Sequence, residues 1–386
     1  MSHPTRLLTP ICSRKLETSS PISPNFSKIW RQGTQQVSFH DDRLAHLQIP
    51  PRECQVDYVL RGSMQGMPCT SMTSLLIDAL CGVCIWVERY ELGGQDDPVA
   101  RLVSDISIAL IKDVGRRIEA RPIIDLTVRD LLLRGRAWLL RPASASNRRQ
   151  VLRWFEQAIA MEPDSTEAKL GIATVLVGNL AGGWSLAIEE DKARAEALLL
   201  EALQTGTDIA AIHAINGTLR RVQGRLDASR AELEMTVELA PRYAMAASQL
   251  GITLTFLGRL EAALPYLERS ARVGAHDPQA PLLLSNLGLC RLLLGDVDSA
   301  IDTLRRAEAG NPYHFDAPLL LAAALGLKSA STEASASLRR AARLCSARGT
   351  LSGLGDWVGR QAGPDYMRIY EHMVERGLRT AGMPEA

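Results

Sequence analysis

One spacing of small and bulky residues recurs in the second half of this 386-residue chain and restricts its fold more than any single motif. Gly288, Gly295, Ala300, Leu304, Ala307 and Pro312 stand in a fixed order, and Gly217, Gly224, Ser229, Leu233, Thr236 and Pro241 repeat it residue for residue. Gly251, Gly258, Ala263, Leu267 and Ser270 form a third copy, in which the proline, Pro278, arrives three residues late. A fourth, starting near Phe315, keeps Ala322, Ala334, Leu338 and Ala341 but has Ser329 at the second glycine position. The order describes two helices. A small residue on the first and two on the second let their backbones approach closely, and large residues fill the seam. The second glycine ends the first helix because it tolerates a positive φ. The proline keeps the second helix from continuing. Copies in one register imply a stack of helix pairs, each covering its neighbour's apolar face.

Those residues resemble positions 8, 15, 20, 24, 27 and 32 of the tetratricopeptide repeat (TPR), whose two helices are called A and B. Two looser copies come before them. "LLLRGRAWLLRPASASNRRQVLRWFEQAIAMEP" places Gly135, Phe155, Ala158 and Pro163, with a loop lengthened around Pro142–Asn147. "DSTEAKLGIATVLVGNLAGGWSLAIEEDKARAEALLLEALQTG" places Gly171, Ala195, Leu199 and Ala202. From Gly171 to Ala195 it runs 24 residues against 12, so the insert "LVGNLAGGWSLAIEED" predicts an extended helix end and a loop. After a glycine-rich linker, "RGTLSGLGDWVGRQAGP" (348–364), a last helix over 364–382 carries Tyr366, Ile369, Tyr370, Met373, Val374 and Leu378 on one face, the pattern of a solenoid cap. The fold class expected is mainly α: a TPR helix-pair solenoid over residues 127–348, of about six pairs, four of them clear, with a small and incomplete α/β domain ahead of it.

That α/β unit spans residues 56–121. "VDYVLRGSM" (56–64), ending at Gly62–Ser63, "TSMTSLLIDAL" (70–80) and "VCIWVERYEL" (83–92) predict three strands, the last two around a turn at Gly82. "DPVARLVSDISIALIKDVGRRIEA" (97–120) has helical spacing. Residues 1–55, rich in Ser, Thr, Pro and Arg, predict an irregular leader dispensable for folding. Cys81 and Cys84 flank the Gly82 turn. A redox Cys-x-x-Cys draws its low pKa from a helix N-terminus, which a β-turn lacks. A zinc site needs two more ligands, and Cys54 and Cys69 make no second pair of suitable spacing. Both cysteines read as non-catalytic.

"YVLRGS", "LIDA" with "W.ERY", and "GLR.AGMPE" together resemble, over roughly residues 56–386, the C-terminal half of bacterial adenylate/guanylate cyclase-type and winged-helix TPR regulators. There a TolB amino-terminal-like α/β domain precedes the TPRs. The resemblance implies regulatory ancestry. In the place of a cyclase or DNA-binding domain this chain has only residues 1–55, without paired metal carboxylates or a recognition helix. A degenerate or truncated cyclase-type or transcriptional regulator, lacking its own effector activity, is the alternative reading.

The function expected is a protein–protein interaction scaffold that binds a partner peptide or helix in the concave groove formed by the A helices. The groove residues expected are Arg221, Met245, Ser248, Gln249, Ile252, Thr255, Leu282, Ser285, Asn286 and Leu289. Several of these are equally suited to packing against a neighbouring helix. No catalysis, cofactor or metal is expected: His213 and His276 have no partner implied by spacing, and "RGSMQG" (61–66) lacks the Lys-Ser/Thr of a phosphate loop. The formal charge of +1 gives no field for nucleic acid, and the cations of the leader (Arg6, Arg14, Lys15, Lys28, Arg31) lack a helix to place in a groove. The longest apolar runs, such as "DAPLLLAAALGL" (316–327), fall short of the ~20 residues of a membrane span, and scattered, odd-numbered cysteines suit the cytoplasm.

Overall fold

The structure is a computed structural model that describes residues 39–40, 58–65, 70–78, 83–92, 98–120, 125–141, 144–275, 277–344 and 349–386. The chain divides into two units, Met1–Asp113 and Val114–Ala386.

In the first unit, strands β1 (Phe39–His40), β2 (Tyr58–Gln65), β3 (Ser71–Asp78) and β4 (Cys84–Glu91) lie in that order in one sheet. β2, β3 and β4 are antiparallel, while β1 runs parallel to β2, with Phe39 opposite Leu60. Two residues of the expected irregular leader thus join the sheet, on a β2 edge whose N–H and C=O groups would otherwise lack ladder partners. The rest of the leader lies outside the described residues. β2 does not stop at Gly62–Ser63. It continues to Gln65, opposite Ser71, because Gly62 pairs with Ser74 within the ladder. Helix α1 (Pro98–Glu119) is tied to the sheet by two buried hydrogen bonds, from Tyr58 Oη to Asp113 (3.0 Å) and from Tyr90 Oη to Asp105 (2.8 Å). Cys84 opens β4 opposite Ile77, exposed, with its thiol donating to the Trp86 carbonyl (3.2 Å). Cys81 lies outside the described residues.

The second unit is helical. Six pairs follow one another: α2 (Val128–Leu139) with α3 (Ala145–Met161), α4 (Thr166–Gly182) with α5 (Ile188–Gln204), and α6 (Ile209–Val222) with α7 (Leu226–Leu239). Then come α8 (Ala244–Phe256) with α9 (Leu260–Val273), α10 (Ala280–Leu293) with α11 (Val297–Gly310), and α12 (Asp316–Leu327) with α13 (Ser331–Leu344). The insert in the second pair is taken up largely as helix: α4 and α5 are 17 residues each, joined by a short turn that Gly183 opens at φ 69°.

The small residues do what their spacing predicts. A Cβ on Gly217, Gly251 or Gly288 would sit 2.6, 2.5 or 2.6 Å from Leu233, Leu267 or Leu304 of the paired B helix. Those three leucines are fully buried. At the second glycine position Gly224, Gly258 and Gly295 have φ of 75°, 75° and 84°, and Ser329 is forced into the same left-handed region at 57°. A left-handed non-glycine residue costs roughly 1 kcal/mol. Ser329→Gly is therefore expected to stabilise the protein by about that much, read as a higher midpoint in urea. An unchanged or lower midpoint would show that the serine is not strained.

The segment read as a glycine-rich linker is not one. Residues Leu351–Gly359 form helix α14, capped by the Thr350 hydroxyl accepting from Gly353 N–H. Its three glycines weaken it intrinsically, and burial of Leu351, Leu354 and Val358 on one face offsets that cost. The last helix is continuous from Pro364 to Ala381 but changes pitch: α15 (Pro364–Tyr370), a π turn (Glu371–Glu375) and α16 (Arg376–Ala381). Its buried residues Tyr366, Tyr370, Val374 and Leu378 are spaced by four. Four residues of a regular α-helix turn about 400°, so such a stripe would drift by about 40° per step. The wider π turn takes out part of that drift and holds the stripe on one side.

Candidate functional site: the concave face of the A helices

The ten expected groove residues fall at repeat positions 2, 5, 6, 9 and 12, counted with Gly217, Gly251 and Gly288 at position 8, on α6, α8 and α10. They form two groups. Met245 and Gln249 on α8, and Leu282 and Asn286 on α10, are half-buried and keep access to solvent. Asn286 Nδ2 donates to Ser248 Oγ (3.0 Å), which links α10 to α8, and Gln249 Nε2 donates to Met245 Sδ (3.6 Å) one turn back on α8 itself. The other group is buried: Ser248 and Thr255 at 0%, Ser285 at 2%, Ile252 at 5%, Arg221 at 6% and Leu289 at 8% exposure. The hydroxyls of Thr255 and Ser285 donate to carbonyls of their own helices, Gly251 (2.9 Å) and Pro281 (2.9 Å). They are satisfied helix-seam residues.

What covers Arg221, Ile252 and Leu289 is the chain itself. Helices α14 to α16 fold back as a hairpin over the C-terminal ends of the A helices. α14 begins beside the C-terminal tail, where Leu351 and Ser352 N–H groups donate to the Pro384 and Glu385 carbonyls (2.9 and 3.0 Å). Past its end the chain reaches the α6–α7 turn, where a Cβ on Gly224 would lie 3.2 Å from the Arg360 carbonyl. Gly363 N–H donates to the Phe256 carbonyl at the end of α8 (2.8 Å), and the Tyr366 ring meets Phe256 edge-on at 5.0 Å. The helix then returns towards α12. At that crossing Gly326 and Gly377 face each other so closely that a Cβ on either would run into the other helix's backbone, at Gly377 O or at Ala323 O. Ile252, Phe256, Leu289, Leu292 and the α12 core share one buried cluster with Tyr366, Tyr370, Val374 and Leu378. We call this hairpin the strap.

The strap also explains the most apolar helix. α12 is buried on every face from Ala317 to Gly326, between its B helix, the preceding repeat and α16. Among the described residues no helix is long and apolar enough to cross a membrane.

Among the described residues Arg221 is, with Arg148, one of two arginines whose pKa burial lowers to about 10. Nη1 donates to Gln361 Oε1 (3.2 Å) and Nη2 to Gln249 Oε1 (3.3 Å), while Nε has no hydrogen-bond partner. The guanidinium lies 5.6 Å from the Phe256 ring centre. Burial lowers its pKa to about 10, with Asp316 acting in the opposite direction, so it is charged at neutral pH. At the other end of the groove Gln279 Nε2, at the start of α10, donates to the Leu139 carbonyl at the end of α2 (3.1 Å).

His213 Nδ1 and Asn216 Nδ2 both bind the Glu232 carboxylate, at 2.5 and 2.6 Å, and link α6 to α7. His276 lies outside the described residues. Cys290 is buried, its thiol pushed up to about 11 by desolvation. No group of three or more metal-ligating side chains is found among the described residues.

Residues 242–311 match the family model of the tetratricopeptide repeat. No curated protein sequence matches the chain. Among solved structures, the human IFIT1 dimer with m7Gppp-AAAA is similar at a TM-score of 0.50 and 13% identity, over 74% of this chain and 66% of that one. The APC/C hetero-tetramer Cut9–Hcn1 is similar at a TM-score of 0.48 and 15% identity, over 68% of this chain and 47% of that one, so the likeness spans about half the length of that protein. YrrB, a TPR protein with an unusual peptide-binding site, gives a TM-score of 0.33 at 20% identity, over 49% of this chain and 91% of that one. The chain therefore contains tetratricopeptide repeats, stacked as a helix-pair solenoid.

Proposed function

We propose that the protein is an interaction scaffold whose concave face receives a peptide or helix of another protein. The observation that carries this reading is the half-open strip of Met245, Gln249, Leu282 and Asn286, where apolar and amide side chains from two helices stand together with solvent access. Such a strip suits an extended or helical segment, with the amides fixing register and the apolar groups supplying burial. The resemblance of residues 56–386 to the C-terminal half of cyclase-type and winged-helix regulators points the same way, towards a regulatory module. On this reading residues 58–119 are a small α/β accessory domain and the TPRs carry the binding.

A photo-crosslinking side chain in place of Leu282 or Met245 is expected to yield a defined adduct in the native cell. The same group in place of Leu186, fully exposed in the α4–α5 turn, is expected to yield none. Equal labelling from both places, or none from the groove, would overturn the reading. So would conversion of ATP or GTP to a cyclic nucleotide by the purified chain with a divalent metal.

A further inference from the structure

We propose that the strap is an internal ligand of the groove and that Arg221 is a carboxylate anchor it leaves unfilled. The external partner of the same seat is then a helical segment of another protein with an Asp or Glu where the strap has Gln361. This deepens the scaffold reading and rests on it.

Three observations carry the inference. First, Arg221 is a charged group at 6% exposure whose hydrogen bonds go to two neutral amide oxygens and whose Nε has no partner. A buried cation is costly unless it is paired. A planar guanidinium matches a carboxylate with two parallel hydrogen bonds, which one amide oxygen cannot supply. Second, the side chain that meets it from the strap, Gln361, is itself 4% exposed and differs from glutamate by one atom. The seat already has the shape for an acid: Asp316 acts on the guanidinium through space, but both hydrogen bonds from Arg221 go to amide oxygens and none to a carboxylate. Third, the strap occupies the groove as a helix. Its buried stripe of Tyr366, Tyr370, Val374 and Leu378 lies in one cluster with Ile252, Phe256 and Leu289.

The competition follows from these three. A tethered segment has the advantage of effective concentration over any free segment with the same contacts. An external helix that offered only the apolar stripe would therefore lose to the strap. A carboxylate on Arg221 is the gain that the strap forgoes, and it gives a partner the means to displace it. The partner chemistry implied is an amphipathic helix with two aromatic residues four apart, entered through a turn that carries an acid five residues ahead of the first, as Gln361 in the turn before α15 precedes Tyr366 and Tyr370.

The first test needs only the full chain. Gln361→Glu is expected to raise the melting temperature, and Arg221→Gln in the same chain is expected to abolish the rise. If Gln361→Glu lowers the melting temperature with Arg221 intact, the site does not accept a carboxylate and the proposal fails. The second test uses fluorescent peptides of residues 358–381, with either Gln or Glu at position 361, titrated against full-length Gly377→Leu protein, in which the strap is unseated. The Glu peptide is expected to bind at least tenfold more tightly, with the difference lost on Arg221→Gln. Equal affinities would overturn the carboxylate preference, and no binding of either peptide to the folded protein would overturn the strap seat as a docking site. Neither outcome touches the crosslinking result at Leu282 and Met245, so the scaffold reading stands or falls separately.

Discussion

Leucine in place of Gly377 is expected to lift the strap off the solenoid while leaving the repeats folded. At the crossing of α12 and α16 the two helix backbones touch through Gly326 and Gly377, and a side chain at 377 would occupy the space of the Ala323 carbonyl. That obstacle is backbone in a helix buried on all sides, so no rotamer change can relieve it. Overpacking a tight contact costs ~1–3 kcal/mol, and here the cost falls on the contact that seats α16. Hydrogen exchange should show faster exchange across 351–383 and at the strap-covered ends of α6 and α8, with α2 to α5 unaffected. Apolar surface of α12 should become accessible to a dye such as ANS. Protection in 351–383 equal to that of the parent would mean that the glycine crossing does not hold the strap.

The second large effect concerns the repeat register itself. Gly288→Leu is expected to destabilise by ~1–3 kcal/mol, because a Cβ there already lies 2.6 Å from two Leu304 side-chain atoms. Leu304→Ala alone is expected to cost ~2–5 kcal/mol through the cavity it leaves. Combined, the two changes exchange volume across one seam, so the double variant should lose less than the sum of the singles. Denaturant titration of all four proteins measures the coupling. Strict additivity would show that Gly288 and Leu304 do not share a seam.

Both effects bear on what could be read from the residues alone. The repeats were legible because close helix packing leaves a trace in composition: glycine recurs at 217, 251 and 288, where a side chain would collide with Leu233, Leu267 or Leu304. The left-handed turn was legible for the same reason, down to its one exception, Ser329. The strap was only half legible. The apolar residues at 366, 370, 374 and 378 showed that the last helix buries one face, but sequence spacing cannot say how far along the solenoid that face extends. Helix α14 was hidden by its glycines, which local propensity counts against a helix while tertiary burial of Leu351, Leu354 and Val358 sustains it. Arg221 fell at a groove-facing position and so was read as exposed to a partner. Its contact with Gln361 spans 140 residues of chain, and no local pattern encodes such a pairing.

That separation has a further consequence for how the molecule melts. In a plain solenoid each repeat touches only its neighbours, stability adds up along one dimension, and the terminal repeats fray first. The strap breaks this rule. It runs from the C-terminal end of the chain to the turn after α6, so fraying of α12 and α13 must also release contacts at Gly224, Phe256 and Arg221. The four repeats from α6 to α13 are thereby coupled into one cooperative unit closed by long-range contacts, which slow folding because the loop must close before they form. A single steep transition for α6 to α16, with α2 to α5 free to follow its own, is the thermal signature of a stack fastened at its end.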